Sequence, residues 1–566
     1  MKRIFLTFIY ILSTSLFFNC LGAGRAGTDI SGADPKSIID SLILSQLFRA
    51  SSDTTLPTLD SQNIISNMHL EVGKIIGTSS DNVAVAGVYV QINSGGYNIA
   101  EGTTSFSYTI PATTKLLGTG NTIAIKVIDT SGNEKITNFT GIKKGENKDV
   151  NGDGYPDLIV SAPRYNTDGK VYIFHGGTSG ISSTNTTSAN AIITPPSVPA
   201  GYTNTYNFGN KFATGDINGD GFADLIICTL GAGDQFNVDG VFLYLGSSSG
   251  ILTTPSWKKY DGDGATNHFC KSLTIADFNN DGYEDIAVSD SNAKTISIFN
   301  GNSSGSLSNT ADSIIISDVT NFGTFIQAGD INSDGNIDLV ITDTSYLYYT
   351  KNPGSGFPSS TTISASTQIQ VSANVSTVTG LQLGDVNGDG YLDAILIGDG
   401  NFAEVNIFKN TKTSTPFNTS NKNQINQFTL SGSSYSSLIT CKDYNLDGYD
   451  DIIVGDPKFA VSGLTNGKIY FFNGKSSWTD LASSSADLQI TSSSDRAEFG
   501  SGISLLDING DNLPDLVTAE TGPNPGKVVI YNNTDKSFNS LVYGSPNFSI
   551  SGESGSTGKF GLFISR

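Results

Sequence analysis

An acidic nine-residue motif, Asp-x-Asn-x-Asp-x-x-x-Asp, occurs seven times in this chain of 566 residues. The first copy reads DVNGDGYPD, and the second reads DINGDGFAD. Carboxylate and amide oxygens at positions 1, 3, 5 and 9, with the backbone carbonyl at position 7, are hard ligands of the kind that Ca²⁺ prefers. The motif therefore predicts up to seven calcium sites. We number the copies loop 1 to loop 7, and they span 149–157, 216–224, 277–285, 330–338, 385–393, 443–451 and 507–515.

Four side chains of each loop are the predicted metal ligands. One copy alone could be an Asx-type turn, because such turns also favour Asn, Asp and Gly. A turn does not require the same three carboxylates and the same amide seven times, so we interpret the copies as metal loops. The predicted ligands are Asp149, Asn151, Asp153, Asp157, Asp216, Asn218, Asp220, Asp224, Asp277, Asn279, Asp281, Asp285, Asp330, Asn332, Asp334, Asp338, Asp385, Asn387, Asp389, Asp393, Asp443, Asn445, Asp447, Asp451, Asp507, Asn509, Asp511 and Asp515.

The residues around the ligands place each loop between two strands. Six loops have Gly at position 6, which permits a sharp turn as in an EF-hand. Unlike an EF-hand, each loop closes with Asp at position 9 and continues into a short apolar run such as DLIV or DIIV. Runs of this kind predict strands and not helices. Loop 7 has Asn512 at position 6, and because Asn tolerates left-handed backbone we expect a weakened site there.

The spacing of the loops predicts a propeller. Successive loops begin between 53 residues (277 to 330) and 67 residues (149 to 216) apart. A repeat of this length suits a four-stranded blade with long connections. An aromatic residue, commonly followed by Gly, often lies eight residues before a loop. These aromatics are Phe208, Phe269, Phe322, Tyr435 and Phe499.

An aromatic-Gly strand, an acidic loop and an apolar strand recurring in this order resemble the FG-GAP repeat family, which is similar to the head domain of integrin α chains. The resemblance covers residues 144–566 and implies a seven-bladed β-propeller with calcium loops on one face and partners on the other. The unit near Thr377 lacks the aromatic, so its first strand is the least well defined. The terminal Phe560–Arg566 stretch has a Phe-Gly pair but no loop after it. We expect it to supply the strand that the first blade lacks, which would close the ring.

The first 64 residues predict export and anchoring. Residues 1–19 have a basic start and an apolar run from Ile4 to Phe18, as in a secretory signal peptide. Cys20 resembles the acylated cysteine of a bacterial lipoprotein, although Asn19 replaces the usual small residue; ordinary secretion is the alternative. Residues 20–64 predict a tether with a short helix that begins near Asp34. The expected location is the bacterial outer membrane or cell surface, with the lipid as the only membrane contact and a periplasmic orientation left open.

Residues 65–143 predict a second β-domain. Apolar and polar residues alternate between turn signals. The stretches 81–93 and 127–134 resemble bacterial immunoglobulin-like domains, which implies a spacer. The predicted fold class is therefore all-β: a seven-bladed β-propeller preceded by an Ig-like β-sandwich.

Composition limits the functions that the chain can have. Asp and Glu number 53 against 32 Lys and Arg, which gives a net charge of −21. Seven Ca²⁺ ions would return +14, so the acidity reflects the loops, and the absence of a basic stripe argues against nucleic acid as a partner. Cys228, Cys270 and Cys441 are expected to be buried free thiols, with a bridge between Cys228 and Cys270 left open. The three histidines form no catalytic constellation with the other residues, and no enzyme is predicted.

These features together predict a monomeric, calcium-stabilised surface protein that binds an extracellular protein or glycan. Candidate contacts on the face opposite the calcium loops are Arg164, Tyr165, Phe236 and Phe459. The alternative is a secreted hydrolase or lyase acting on polysaccharide or phospholipid, since calcium-loop propellers also resemble parts of such enzymes.

Overall fold

The computed structural model describes residues 53–566 with gaps. The gaps are residues 117, 164, 166–167, 199–206, 231–238, 261–268, 364–368, 371–374, 401–402, 419, 421, 429–438, 462, 523, 539–542, 554–558 and 566. The predicted signal peptide, Cys20 and the predicted helix of the tether lie outside the described residues. Across the described part of the chain, no helix is long and apolar enough to cross a membrane.

Residues 56–129 and 134–566 form one compact unit. Residues 53–55 and 130–133 belong to a second unit, within which Nδ2 of Asn133 donates to the carbonyls of Asp53 and Thr55. The strands described below all belong to the first unit.

Eight strands form two small sheets at the start of the first unit. They are β1 (Thr58–Ser61), β2 (His69–Leu70), β3 (Lys74–Ser80), β4 (Val85–Ile92), β5 (Asn98–Ile99), β6 (Ser105–Thr109), β7 (Asn121–Asp129) and β8 (Glu134–Lys144). One sheet has the order β1-β3-β6 and the other β2-β8-β7-β4-β5. Alternate residues of these strands, among them Ile75, Val88 and Ile125, are buried in a shared apolar core. Strand β1 comes from the stretch predicted as tether. We call residues 56–129 and 134–148 the N-terminal module.

The remaining strands build seven sheets that each contain four antiparallel strands, and the first of these sheets takes one strand from the C-terminal end of the chain. The strands are β9 (Leu158–Ala162), β10 (Lys170–Phe174), β11 (Ala191–Ile193), β12 (Lys211–Gly215), β13 (Asp224–Thr229), β14 (Gly240–Tyr244), β15 (Trp257–Tyr260), β16 (Phe269–Ala276), β17 (Asp285–Asp290), β18 (Thr295–Phe299), β19 (Ser313–Ser317), β20 (Phe325–Gly329), β21 (Asp338–Thr342), β22 (Tyr346–Thr350), β23 (Ser360–Ile363), β24 (Ile369–Gln370), β25 (Val375–Gly384), β26 (Asp393–Gly400), β27 (Ala403–Phe408), β28 (Lys422–Phe428), β29 (Ile439–Lys442), β30 (Asp451–Asp456), β31 (Ala460–Val461), β32 (Leu464–Thr465), β33 (Lys468–Phe472), β34 (Leu481–Ala482), β35 (Leu488–Thr491), β36 (Phe499–Leu506), β37 (Asp515–Glu520), β38 (Lys527–Tyr531), β39 (Phe548–Ser551) and β40 (Phe563–Ile564).

The order of strands explains the repeat. The seven sheets are β40-β9-β10-β11, β12-β13-β14-β15, β16-β17-β18-β19, β20-β21-β22-β24, β25-β26-β27-β28, β29-β30-β33-β35 and β36-β37-β38-β39. Strands β23 and β34 add to the edges of the third and fifth sheets in parallel pairing, and β31 and β32 form a separate hairpin. The least defined unit of the sequence has its first strand in β25. The all-β class predicted from the sequence is confirmed.

Each of loops 2 to 7 is the hairpin connection between the first two strands of a sheet. In the second sheet, for example, Gly215 at the end of β12 pairs with Asp224 at the start of β13. Every residue of β13 is buried, because neighbouring sheets cover both of its faces. This burial accounts for the uninterrupted apolar runs that follow the loops.

The C-terminal strand takes the place that the sequence predicts for it. Phe563 pairs with Ser161 and Ile564 pairs with Val160, so β40 lies beside β9 in the first sheet. The backbone N–H of Ser565 also donates to the carbonyl of Ile159 at 2.9 Å. Strands from the two ends of the repeat region therefore share one sheet.

The Phe-Gly pairs were predicted to begin strands, and most of them instead form turns ahead of the strands. Phe208 is fully buried, and Gly209 has a φ of 84°, a left-handed conformation that glycine adopts without strain. A methyl group on Gly209 would lie 2.8 Å from Cγ2 of Val171 in the preceding sheet. The aromatic ring and the close backbone approach thus dock a sheet that has a Phe-Gly pair on its neighbour. Among these pairs, only Phe499–Gly500 lies inside a strand.

Two of the three described cysteines form the disulfide that the sequence left open, which corrects the expectation of free thiols for these two. Cys228 in β13 and Cys270 in β16 are bonded, with their Cα atoms 5.9 Å apart. The bond joins neighbouring sheets, so sequence spacing within one repeat gave no signal for it. Cys441 is a buried free thiol.

Candidate metal centres

Backbone hydrogen bonds hold the carboxylates of loop 1 in place. Asp149 accepts from the N–H groups of Asp153 at 3.1 Å and Gly154 at 2.7 Å. Oδ1 of Asn151 accepts from the same Asp153 N–H at 3.1 Å, so two predicted ligand oxygens converge on one point. Asp157 accepts from the N–H of Val150 at 2.8 Å, which ties the end of the loop to its beginning.

All seven loops share the hydrogen bonds to the side chains at positions 1 and 3. The N–H at position 6 donates to the carboxylate at position 1 over 2.7–3.0 Å in each of them. The N–H at position 5 donates to both the Asp at position 1 and the Asn at position 3. Asn512 takes part with a φ of 66°, so asparagine adopts the turn that glycine makes elsewhere. The weaker affinity of loop 7 stays a prediction.

Burial raises the pKa of the loop carboxylates, so their charged form is unfavourable unless a cation is bound. The aspartate at position 9 starts a buried strand, and burial raises the pKa of Asp224, Asp285 and Asp451 to about 8. The pKa of Asp149 at position 1 is raised to about 7, first by burial and further by the Asp153 charge, against the hydrogen bonds that it accepts. A bound divalent cation would offset this penalty. A set of carboxylate and amide oxygens around an acidic turn therefore fits Ca²⁺.

Loop 4 differs from the others in its side chains. In loops 1, 2, 3 and 7 the Asn at position 3 donates to the Asp at position 5. In loop 4, Nδ2 of Asn332 instead donates to Asp338 at 3.0 Å, and the hydroxyl of Tyr349 donates to the same carboxylate oxygen at 3.0 Å. The ammonium of Lys351 lies 2.8 Å from Asp334. The carboxylates of loop 4 thus already accept hydrogen bonds from two side chains and pair with a lysine ammonium.

Neighbouring loops contact each other through positions 4 and 7. A methyl group on Gly152 of loop 1 would lie 2.4 Å from Cε1 of Phe222 in loop 2. The same close approach of a glycine at position 4 and an aromatic at position 7 joins three further pairs of loops: Gly219 with Tyr283, Gly388 with Tyr449, and Gly510 with Tyr155. Between loops 3 and 4 an amide pair replaces it, since Asn280 donates to Asn336 at 3.0 Å.

Two acidic residues at position 8, which the nine-residue motif does not include, also connect neighbouring loops. Glu284 accepts from the N–H of Asp216 at 2.9 Å, and Asp450 accepts from the N–H of Asp385 at 2.8 Å. Position 8 is acidic only in loops 3 and 6, so it lies outside the shared pattern.

The N-terminal module covers the loops. Nδ2 of Asn63 donates to the carbonyl of Gly154 in loop 1 at 2.8 Å. The hydroxyl of Thr119 donates to the carbonyl of Gly390 in loop 5 at 2.9 Å. The remaining five loops are also contacted, through the pairs Thr109 with Gly221, Thr113 with Gly282, Lys115 with Gly335, Asn67 with Leu446, and Gln62 with Asn512.

A buried ion network lies beneath the module. Glu71 bonds to the ammonium groups of Lys148 and Lys442. Burial alone would raise the pKa of Glu71, but these two lysines outweigh it and lower that pKa to about 2. Asp450 binds Lys143 at 2.6 Å and His69 at 2.8 Å. Parts of both groups line a cavity of about 260 Å³ between the module and the first strands of the sheets.

The predicted contact residues lie at the other end of the sheets. Tyr165 follows β9 and Phe459 follows β30, so both are in connections between second and third strands, whereas the acidic loops join first and second strands. Each ring is covered by a lysine ammonium 3.9 Å from its centre, Lys170 over Tyr165 and Lys468 over Phe459. The other two candidates, Arg164 and Phe236, lie outside the described residues.

Comparisons with known proteins agree with the repeat pattern. The model of the FG-GAP-like repeat matches residues 216–288, 277–341, 330–396 and 385–454, and that of the FG-GAP repeat matches 149–174. Integrin alpha-PS5 of Drosophila melanogaster is 27% identical over 226 residues, which are 36% of this chain and 21% of that protein.

Two further relatives match shorter stretches. Human integrin alpha-7 is 36% identical over 118 residues, or 19% of this chain and 8% of that protein. Phosphatidylinositol-glycan-specific phospholipase D of Mus musculus is 27% identical over 148 residues, or 25% of this chain and 17% of that protein. The chain therefore spans about a fifth or less of the length of these relatives.

Proposed function

Because residues 149–174 and 216–454 carry FG-GAP repeats like those of integrin α chains, we propose that this chain is a calcium-stabilised binding protein for an extracellular protein or glycan. It acts as a monomer and carries out no catalysis of its own. The seven sheets are the blades of one propeller, closed by β40, and the N-terminal module is an Ig-like spacer. Cys20 carries a lipid that anchors the chain at the bacterial outer membrane or cell surface.

The observation that carries this proposal is the cover over the loops. The N-terminal module contacts every one of the seven loops, so its own residues take up the calcium side of the repeat. A ligand is left with the opposite ends of the sheets. Tyr165 and Phe459 lie there with their lysines, and an aromatic ring beside a cation suits both sugar rings and acidic side chains.

Calcium stabilises the repeat in this proposal. A ligand that binds only the folded state adds about 2.7 kcal/mol at a hundredfold excess over its dissociation constant. Extracellular calcium modules bind at about 0.1 to 1 mM, so external calcium would keep several loops filled. Thermal melts of the full chain with calcium and with chelator test this step, and calorimetric titration counts the ions. Equal melting temperatures would remove calcium from the proposal.

Ligand binding is tested with the full chain in calcium on a glycan array and on immobilised extracellular matrix proteins. The double variant Tyr165→Ala, Phe459→Ala is expected to lose binding to whichever surface retains the wild type. The matched control is Ile99→Ser, because Ile99 is 69% exposed and lies in the N-terminal module. If the double variant binds like the control, the opposite ends of the sheets are not the ligand site.

A second candidate is hydrolysis of a phospholipid, which the name of one relative suggests. It rests on a match to 25% of this chain alone. Turnover of phospholipid vesicles or polysaccharide by the wild-type chain would favour this candidate over binding.

A further inference from the structure

The N-terminal module contacts the turn of every loop. In loop 3 Lys144 also pairs with Glu284 at position 8, and in loop 6 the module also pairs with Asp450 at position 8. Six loops meet the module at position 6, and loop 6 meets it through the carbonyl at position 4, to which Asn67 donates at 3.1 Å. Positions 4 to 6 form the turn whose N–H groups bind the carboxylate at position 1. The module therefore touches the segment of each loop that a bound ion would fix.

These contacts depend on the shape of the loop backbone. The acceptors for Asn63 and Thr119 are the carbonyls of Gly154 and Gly390, which have φ values of 93° and 85°. A methyl group on Gly73 would lie 2.3 Å from the carbonyl oxygen of Gly221, so the module and loop 2 are in direct backbone contact. Opening of loop 1 or loop 5 would therefore move an acceptor away from the module.

The buried charges make a loosely seated module unfavourable. Glu71 comes from the module, whereas its partner Lys442 ends β29 immediately before loop 6. Lys143 of the module bonds to Asp450 inside loop 6. Separation of a buried pair leaves charges without partners, which is strongly unfavourable, so the network is either aligned or opened to water as a whole.

We propose that calcium controls the seating of the N-terminal module. With calcium in the loops, the turns hold the positions that the module recognises, and the module closes the cavity. Without calcium, repulsion among the loop carboxylates opens the turns, the module leaves, and water enters the cavity. The inference rests on calcium binding by the loops, which is part of the proposed function, but not on any ligand.

Coupling of this kind works in both directions. If calcium favours the seated module, then the seated module must favour calcium by the same factor. A variant that weakens seating, with every loop ligand intact, is therefore expected to bind calcium less tightly. Couplings between sites commonly amount to about 5- to 150-fold in affinity.

Lysine accessibility in the full chain tests the release. Lys143, Lys148 and Lys442 are buried, with exposures of 4%, 1% and 6%. Acetylation followed by mass spectrometry is expected to be at least about tenfold faster at these lysines in chelator than in calcium. The exposed Lys135 of the module is the control and is expected to react equally in both. Amide exchange in β13, which is buried deep in its sheet, reports whether the repeat itself stays folded.

Glu71→Gln tests the reverse direction. It removes the charge that Lys148 and Lys442 share and leaves all loop ligands unchanged. Calorimetric titration of the full-length variant is expected to show calcium binding at least about fivefold weaker than the wild type. Glu134→Gln is the matched control, because Glu134 is an exposed module residue 3.7 Å from Lys126.

The outcomes separate the two proposals. If the wild type takes up no calcium, the calcium part of the proposed function fails. If it takes up calcium, but the buried lysines react equally with and without it and Glu71→Gln binds calcium like Glu134→Gln, only the coupling fails. If chelation also exposes β13, the Glu71→Gln titration decides alone, and an affinity equal to that of the control overturns the coupling.

Discussion

Loops 1 and 4 have the same backbone but neutralise their carboxylates differently. In both loops the aspartate at position 1 accepts from the N–H groups of positions 5 and 6. In loop 1 the carboxylates bond mainly to backbone N–H groups, and burial raises the pKa of Asp157 well above its ordinary value. In loop 4 Asp338 also accepts hydrogen bonds from the side chains of Tyr349 and Asn332, and its pKa rises only to about 6.

The difference shows which property each part of the sequence controls. The nine-residue motif determines the backbone of the loop, because its Asp, Asn and Gly residues make the same hydrogen bonds in all seven copies. The charge balance depends on residues outside the motif. Tyr349 lies in β22 and Lys351 directly follows it. We therefore expect loop 4 to bind calcium more weakly than loop 1.

The largest expected effect comes from removing the closing aspartate. Asp157→Ala leaves the N–H groups of Val150 and Gly176 without their acceptor, at a cost of about 1–3 kcal/mol for each buried donor. Calorimetry is expected to show one calcium ion fewer than in the wild type. Asp338→Ala, the matched change in loop 4, is expected to destabilise the chain without the same loss of bound calcium. Equal loss of calcium in both variants would mean that loops 1 and 4 are equivalent.

Tyr349→Phe is expected to have the next largest effect. The hydroxyl donates to Asp338 and accepts from Asn332 at 3.1 Å, so its removal takes two hydrogen bonds from loop 4. The expected loss of stability in chelator is about 1 kcal/mol, measured by denaturant unfolding. Tyr283→Phe is the control, because Tyr283 contacts Gly219 of the neighbouring loop through its ring. An unchanged stability would show that the hydroxyl contributes nothing to loop 4.

Lys351→Met tests the charge at loop 4 directly. The ammonium lies 2.8 Å from Asp334, and its side chain is 58% exposed, so it competes with calcium mainly by charge. Its removal is expected to tighten calcium binding at loop 4 by about fivefold in a calorimetric titration at low salt. Lys135→Met, an exposed change in the N-terminal module, controls for the loss of one positive charge. Equal titration curves for the two variants would contradict a competing lysine.

The sequence predicted the features that repeat. The loops, the apolar strands after them and the place of β40 all follow from a pattern that occurs in nearly every unit. Such patterns are visible because each copy forms the same local structure, a tight acidic turn followed by a buried strand.

Features that occur once could not be predicted in this way. Glu71 and Lys442 are 371 residues apart and belong to different modules, so no spacing relates them. The Cys228–Cys270 bond crosses between sheets, so the sequence favoured free thiols and left this bond only as an open alternative. The Phe-Gly pairs repeat, but their turns depend on contact with the preceding sheet. The spacing of the repeat does not show that contact.

The smallest expected effect is at loop 5. The side-chain partners of its carboxylates are intermediate between those of loops 1 and 4. The ammonium of Lys412 is 3.5 Å from Asp389 and also donates to its carbonyl at 3.4 Å, but no tyrosine hydroxyl is bonded to Asp393 among the described residues. Lys412→Met is therefore expected to tighten calcium binding by about twofold or less, because a long, exposed ion pair contributes little. The measurement is the same titration as for Lys351→Met. If Lys412→Met has the larger effect, the distance of the ammonium does not control calcium affinity, and the contrast between loops 1 and 4 must come from Tyr349 and Asn332 instead.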